Sequence, residues 1–307
     1  EMGVEERLPP PHRPPRDDGL RGSHEELRAR SVLQAVERNF EGAVAAADDV
    51  LVVVPSHALR ETLERLAPLL ADAQRLIWAT KGLEPQSALL PHQVAAEVLG
   101  SQRRTAVLSG PSFAGEVGQG MPTAVTIAAA DADFARDMAG AFHDGVFRVY
   151  TTTDVVGVGV GGAVKNVLAI AVGISDGLGY GANARALLIT RGLSEMMRLG
   201  EKLGGERTTF TGMAGLGDLL LTCTDDQSRN RRMGLALAAG HDVEQAQREI
   251  QQVVEGVRVA REVHRIAEQL GVEMPIATQA FRVLHEGVAP RDAVRKLTDR
   301  PFRAEKD

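Results

Sequence analysis

The apolar positions of this chain change period once. From residue 48 to residue 154 they come as short continuous runs between amphipathic stretches, and after residue 154 they recur at helical spacing. The clearest run is "DDVLVVVPS" (48–56), with the β-branched character that a strand covered on both faces requires. "RLIWATKG" (75–82), "TAVLSGPS" (105–112), "TAVTIAAA" (123–130) and "FRVYTTTD" (147–154) read as further strands. "HALRETLERLAPLL" (57–70) and "SALLPHQVAAEVLG" (87–100) have helical spacing between them. Strands alternating with helices predict an α/β, doubly wound parallel sheet. Helices are then predicted at 163–174, 183–204, 230–240, 253–271, 279–287 and 290–297, an all-helical second domain. The expected organisation is an atypical segment at 1–40, an α/β domain at 41–154 and a helical domain at 155–307. Within the first segment, 1–22 is polar and proline-rich and reads as disordered or polyproline-like, with no apolar core for a signal peptide. Ser23 and Glu26 offer a capping box for a helix running to about Ala47.

One segment breaks the ordinary pattern. From Val155 to Ile174 every residue is apolar or glycine except Lys165 and Asn166. Twenty residues suit a membrane span, but a lysine near the centre costs roughly 2.5–3.5 kcal/mol, and five glycines add little hydrophobicity. The expectation is therefore a helix buried in a protein core, with its polar pair facing a cavity. The same segment contains "GVGVGG" (157–162), which matches the G-x-G-x-x-G of dinucleotide-binding turns. A βαβ unit needs a second buried strand after the helix, whereas here Asp176 is followed by a glycine-rich turn and another helix. Small residues for close helix packing, or for a ligand's approach to the backbone, are the better reading.

Composition narrows the function classes. Net charge is −6 with no basic field, which argues against nucleic acid as a partner. Cys223 is the single cysteine, so no intrachain disulfide forms and a reducing, cytoplasmic compartment fits. The eight histidines are scattered without metal-ligand spacing, and no nucleophile elbow is present. A homodimer is compatible with the sequence, which does not otherwise speak to assembly.

In open α/β sheets, ligands sit at the carboxyl ends of the strands. Those ends are Pro55-Ser56-His57, Thr80-Lys81-Gly82 and Ser109 to Glu116. Lys81 could meet an anion there or be a solvated surface lysine. Gly110 allows close backbone approach and Ser112 offers a hydroxyl, or the two belong to an ordinary turn. In the helical half, Asp218 follows a glycine-rich turn, and "SRNRR" sets Ser228, Arg229, Asn230, Arg231 and Arg232 together. Guanidinium forks with hydroxyl and amide donors suit a phosphate, and a solvated basic helix is the plain alternative. Glu255 could bind ribose hydroxyls or cap a helix.

Taken in order, "VLVVVPSHALRETL", "WATKGLEP", "LSGPSFAGEV", "GGAVKNVLAIAVGISDGLGYGANARALLITRGLSEM", "GMAGLGDLLLTCTDDQSRNRRMG" and "QVVEGV…GVEMPI" closely resemble bacterial NAD(P)-dependent glycerol-3-phosphate dehydrogenase, from about Ala43 to about Leu297. The resemblance implies a Rossmann-like domain followed by an all-α domain. It implies NAD or NADP as cofactor and interconversion of sn-glycerol 3-phosphate with dihydroxyacetone phosphate, feeding phospholipid synthesis. Carried over position by position, Lys165 resembles the catalytic acid and base. Lys81, Gly110, Ser112, Lys165, Asp218, Ser228, Arg229 and Asn230 resemble substrate contacts. Lys81, Ala114, Arg229, Val253 and Glu255 resemble cofactor contacts.

The chemistry agrees with that assignment. Charge develops on the carbonyl oxygen during hydride transfer, and a positioned ammonium stabilises it and then donates its proton. Burial in an apolar wall moves a lysine pKa down toward the working range. Asn166, about 100° further round the helix, can add a neutral hydrogen bond. Other nicotinamide-dependent hydroxy-acid dehydrogenases share the architecture, and a non-catalytic relative would keep the fold. The basic cluster favours a phosphate over a carboxylate. The family also begins with a βαβ unit whose glycine-rich turn grips the cofactor pyrophosphate, and residues 1–40 contain no such turn. A truncated or misread start, or divergence, would each account for the missing unit.

Overall fold

The computed structural model describes residues 39–299. The proline-rich reading of 1–22 and the capping box at Ser23 and Glu26 lie outside the described residues. Of the helix expected up to about Ala47, the described part is Phe40–Ala45 (α1). The described residues from Val44 onward belong to one compact unit.

The five described strands are Asp49–Val52 (β1), Arg75–Trp78 (β2), Thr105–Ser109 (β3), Thr123–Ala128 (β4) and Phe147–Thr152 (β5), lying side by side in that order. β1, β2 and β3 are parallel, with Val52 beside Trp78 and Trp78 beside Val107. Leu59–Leu66 (α2) and Pro91–Leu99 (α3) make the crossovers that parallel neighbours need. Pro91 opens α3, where its fixed φ suits the first helical turn and its missing N–H costs no hydrogen bond. β4 departs from the parallel expectation: Val107 pairs with Ala128 antiparallel. Residues 110–122 hold only the short helix Ala114–Gly118 (α4), so the chain re-enters the sheet at the end it left. β5 is again parallel to β4. Between them lies Ala132–Phe142 (α5), which the apolar runs did not signal. Asp131 caps it by accepting the N–H groups of Asp133 and Phe134. α5 buries Phe134, Ala135 and Met138 against Ile77, Leu108, Val125 and Ile127 of the sheet. Each large side chain so covered contributes about 1.5–3 kcal/mol.

The apolar run is the 23-residue helix Val155–Gly177 (α6). It is long and apolar enough to cross a membrane, yet 83% of its most apolar window is buried inside the fold. Around it pack Gly181–Lys202 (α7), Asp218–Thr224 (α8), Arg229–Ala238 (α9), Glu255–Leu270 (α11) and Pro275–His285 (α12). Val243–Ile250 (α10) and Pro290–Thr298 (α13) complete the helical part. "GVGVGG" lies in the first two turns of α6 rather than in a strand-to-helix turn. Asp154 caps that end, accepting the Gly157 N–H at 2.7 Å and the Glu206 N–H at 2.8 Å. The glycines serve close packing, as expected. A Cβ on Gly161 would stand 2.5 Å from the Ala214 carbonyl oxygen, and one on Gly173 would stand 2.3 Å from that of Arg231.

Candidate active site

The polar pair of α6 faces the carboxyl ends of the strands. Lys165 is only 7% exposed and Asp218 only 1%. Asp218 sits at the start of α8, delivered there by a π-helical turn at Met213–Gly217 that packs on α6 at Gly161. The Lys165 ammonium donates to Asp218 Oδ1 and, at 3.1 Å, to Thr222 Oγ1. Thr222 is one turn along α8 and donates back to the Asp218 carbonyl at 2.6 Å. From the sheet side, Lys81 Nζ reaches Asp218 Oδ2 at 2.7 Å and the Gly110 carbonyl at 2.9 Å. Gly110 holds φ = +141° with Val125 Cα 3.0 Å from where a Cβ would stand, so only glycine fits there. One buried carboxylate thus gathers two ammonium groups, one from each half of the chain.

The electrostatics follow from that geometry. Burial pushes Lys165 down to about 8, against the pull of Asp218 and with help from the second positive charge on Lys81. Burial alone would raise the Asp218 carboxyl. The two lysines outweigh it and hold that carboxyl below the ordinary carboxylate range. Cys223, next to Thr222, is pushed up to about 12 by burial, so its thiol is unreactive at neutral pH.

A second polar chain runs one position along α6. Asn166 donates to the Gly162 carbonyl at 3.2 Å and accepts from Asn230 Nδ2 at 2.9 Å. Asn230 Oδ1 in turn accepts the Gly256 N–H at 2.9 Å. Ser228, buried, caps α9 by accepting the Arg231 N–H at 3.2 Å. Arg229, in the first turn of α9, is exposed and makes no hydrogen bond or ion pair among the described residues. The five residues of "SRNRR" therefore do not point to one place. Arg231 is turned inward to Asp176 and Asp226.

Glu255 opens α11 and accepts from Ser56 Oγ at 2.9 Å, joining the end of β1 to the helical half. Val253 is exposed two residues earlier. Ala114 is exposed at the start of α4, and Ser112 donates to the Gly110 carbonyl at 3.0 Å. α4 lies near α9, since Gln227 Nε2 donates to Glu116 Oε1 at 2.8 Å. Lys81, Gly110, Lys165 and Asp218 are thus in direct contact, and Asn166 with Asn230 forms the next layer. Arg229, Val253 and Ala114 are exposed and make no hydrogen bond or ion pair with the lysine pair among the described residues. Two site residues escaped the sequence reading of individual roles. Thr222 has only its spacing of four from Asp218 as a signal. Ser109 lies at a recognised strand end, and its hydroxyl is buried with no hydrogen-bond partner among the described residues.

A nicotinamide cofactor fits this crevice at its reacting end. The buried, unpartnered Ser109 hydroxyl, the Ser56–Glu255 pair and the open rim at Ala114 and Val253 all lie at the carboxyl ends of β1–β3 or against them. No group of three or more potential metal ligands occurs among the described residues.

Comparison with known proteins points the same way. A family model described as the NAD-dependent glycerol-3-phosphate dehydrogenase N-terminus matches residues 27–135, and its C-terminal counterpart matches residues 154–295. Glycerol-3-phosphate dehydrogenase (NAD(P)+) of Shewanella halifaxensis is 54% identical over 270 residues, covering 88% of this chain and 80% of that protein. The enzyme of the same description from Alkalilimnicola ehrlichii is 60% identical over 258 residues, covering 84% and 77%. The crystal structure of glycerol-3-phosphate dehydrogenase from Coxiella burnetii superposes with a TM-score of 0.82 at 45% identity, over 90% of this chain and 88% of that one.

Proposed function

The chain belongs to the NAD-dependent glycerol-3-phosphate dehydrogenase family, and from that premise we propose how its own residues carry the reaction. It is an NAD(P)-dependent oxidoreductase that interconverts sn-glycerol 3-phosphate and dihydroxyacetone phosphate. The nicotinamide ring, when bound, supplies or accepts the hydride at carbon 2 of the substrate. In the reducing direction the Lys165 ammonium faces the carbonyl oxygen, stabilises the charge that develops there, and donates one proton to make the hydroxyl. In the oxidising direction the neutral amine takes the hydroxyl proton. Asp218 keeps Lys165 aimed and, through its other oxygen, keeps Lys81 beside it, so that both ammonium groups meet the substrate's oxygens.

The single observation that carries this reading is Lys165. It is a buried ammonium, lowered to about 8, at the carboxyl end of the sheet, held by one carboxylate and one hydroxyl. The N-terminus of α9 would take the phosphate. Ser228, Arg229 and Asn230 occupy its first turn and cap, where free N–H groups and the helix dipole favour an anion. Ser112 and Gly110 would border the substrate from the sheet side. Glu255, Val253, Ala114 and Lys81 would border the cofactor. The division into a cofactor part (41–154) and a substrate part (155–307) belongs to the same proposal, and the separate family models on either side of residues 135–154 support it. Supply of glycerol 3-phosphate to phospholipid synthesis, a cytoplasmic location and a homodimeric assembly also belong to the proposal, and the free, buried Cys223 suits a reducing compartment.

Arg229→Ala tests the phosphate assignment. A charge-assisted hydrogen bond is worth roughly 1.5–3 kcal/mol, so KM for dihydroxyacetone phosphate should rise about 10- to 150-fold. Turnover of unphosphorylated dihydroxyacetone should hardly change. Equal loss with both substrates would remove Arg229 from the phosphate.

A further inference from the structure

The geometry points to Asp176 as a positioning residue of the substrate-phosphate site, acting through Arg231. Asp176 lies at the far end of α6, eleven residues and about three turns beyond Lys165. Its side chain is only 5% exposed, and both of its oxygens receive Arg185 Nε, at 3.0 and 2.9 Å. Oδ2 also receives Arg231 Nη1. Arg231 is itself buried, and its Nε donates to Asp226 Oδ1 at 2.9 Å. Its backbone N–H is the one that Ser228 caps. Arg231 therefore sits in the first turn of α9, two residues after Arg229 and three after the capping Ser228, yet its charge is held by two carboxylates. Asp176 draws Arg231 inward, while Arg229, about 200° away round α9, stays exposed.

The same contact fixes a distance. α9 lies against α6 at bare backbone, with Gly234 against the Ile170 carbonyl and Gly173 against that of Arg231. Asn166 to Asn230 ties the two helices near Lys165, and Asp176 to Arg231 ties them further along. Two ties on one rigid helix set both the spacing and the angle between the proton donor and the phosphate-holding turn. A three-carbon substrate anchored at one end and reacted at the other is sensitive to both. This inference rests on the reading of α9 as the phosphate site.

Asp176→Asn keeps the side chain's size and removes the charge. The expected result is a KM for dihydroxyacetone phosphate raised about tenfold, within the range by which residues outside a ligand's contacts modulate binding. kcat should stay within about threefold, because Lys165 and Asp218 are untouched. Unphosphorylated dihydroxyacetone should be turned over as before, and Asp176→Glu, which keeps the carboxylate, should restore much of the affinity. Arg231→Lys supplies the same test if Asp176→Asn does not fold. A single ammonium cannot span Asp176 and Asp226 as the fork does, so KM should rise in the same direction. An unchanged or lowered KM in the folded variants, or equal loss with both substrates, overturns the role of Asp176. If Arg229→Ala also fails to distinguish the two substrates, it is the placement of the phosphate that falls. If Arg229→Ala discriminates and the Asp176 and Arg231 variants do not, only the positioning role falls.

Discussion

Lys165 is held in an environment that favours its neutral form, and its neighbours decide how far that goes. Burial lowers it to about 8, while Asp218 alone would raise it. Oxidation needs the neutral amine and reduction needs the ammonium. kcat/KM for glycerol 3-phosphate should therefore climb as pH rises through about 8, and kcat/KM for dihydroxyacetone phosphate should fall over the same interval. Matched profiles in the two directions check this. An inflection near the ordinary lysine value of about 10.4 would mean that Lys165 titrates as a solvated group. The folded value lies below the unfolded one, so between them the unfolded chain binds the extra proton. The cost of burying the charged form is thus present below about 8 and is relieved as pH rises toward the unfolded value. Lys165→Met should lower turnover by at least about 10²–10⁴-fold, the usual worth of general acid–base catalysis. Lys81 still balances Asp218 in that variant, so the far-ultraviolet circular dichroism should match the parent. Retention of a tenth of parental turnover would take Lys165 out of the chemistry.

α6 and α9 are the elements on which the site depends, and their contact is backbone on backbone. An added methyl at Gly173 would meet the Arg231 carbonyl oxygen at 2.3 Å, inside any tolerated contact. Gly173→Ala must push α9 away, at the 1–3 kcal/mol typical of overpacked cores. It should lower the denaturant midpoint and raise KM for dihydroxyacetone phosphate together, since Arg231 and the cap at Ser228 move with the helix. A stability loss with unchanged KM would show that α9 tilts without disturbing its N-terminus. Much of this was legible in advance. The lone polar pair in an apolar run located Lys165 and Asn166, and the absence of a following strand showed that "GVGVGG" was packing and not a phosphate turn. The Lys165–Asp218–Lys81 contact was not legible from spacing, because it joins residues 53 and 137 positions apart. The inward turn of Arg231 was hidden for a related reason. Five polar residues in a row carry no record of which face of α9 each will take. α5 was missed because only Phe134 and Met138 of its four buried residues are large, and Ala135 and Ala139 add little apolar signal.

At the scale of the molecule, a parallel sheet is expected to have both faces and both edges attended to. Within the described sheet β1 is an edge strand, and the apolar Leu51 within it and Val53 just after it are 43% and 68% exposed. The "DDVLVVVPS" run was legible as a strand. Its ladder stops at Val52, however, since β-branched residues favour extended backbone without supplying a partner. The grip on a dinucleotide normally comes from this side of such a sheet, through N–H groups of a glycine-rich turn and the helix behind it. Residues 1–40 contain no G-x-G-x-x-G. The glycine nearest a strand end among the described residues, Gly110, is followed by a helix of only five residues. Among the described residues the reacting end of the cofactor has its neighbours in Lys81, Ser109 and Glu255, and no glycine-rich turn follows β1 to meet its two phosphates. Loss of two charge-assisted bonds corresponds to about 3–6 kcal/mol, or about 10²–10⁴ in affinity. The 307-residue chain, made as written, should therefore bind NADH weaker by that factor than the relative from Shewanella halifaxensis measured beside it. Both should respond alike to Arg229→Ala, or its counterpart, in their affinity for dihydroxyacetone phosphate. Fluorescence titration of NADH into the two purified proteins decides the point. Equal affinities would mean that backbone N–H groups elsewhere in the chain grip the pyrophosphate, and the place to look would then be the N–H groups that follow Pro55 at the end of β1.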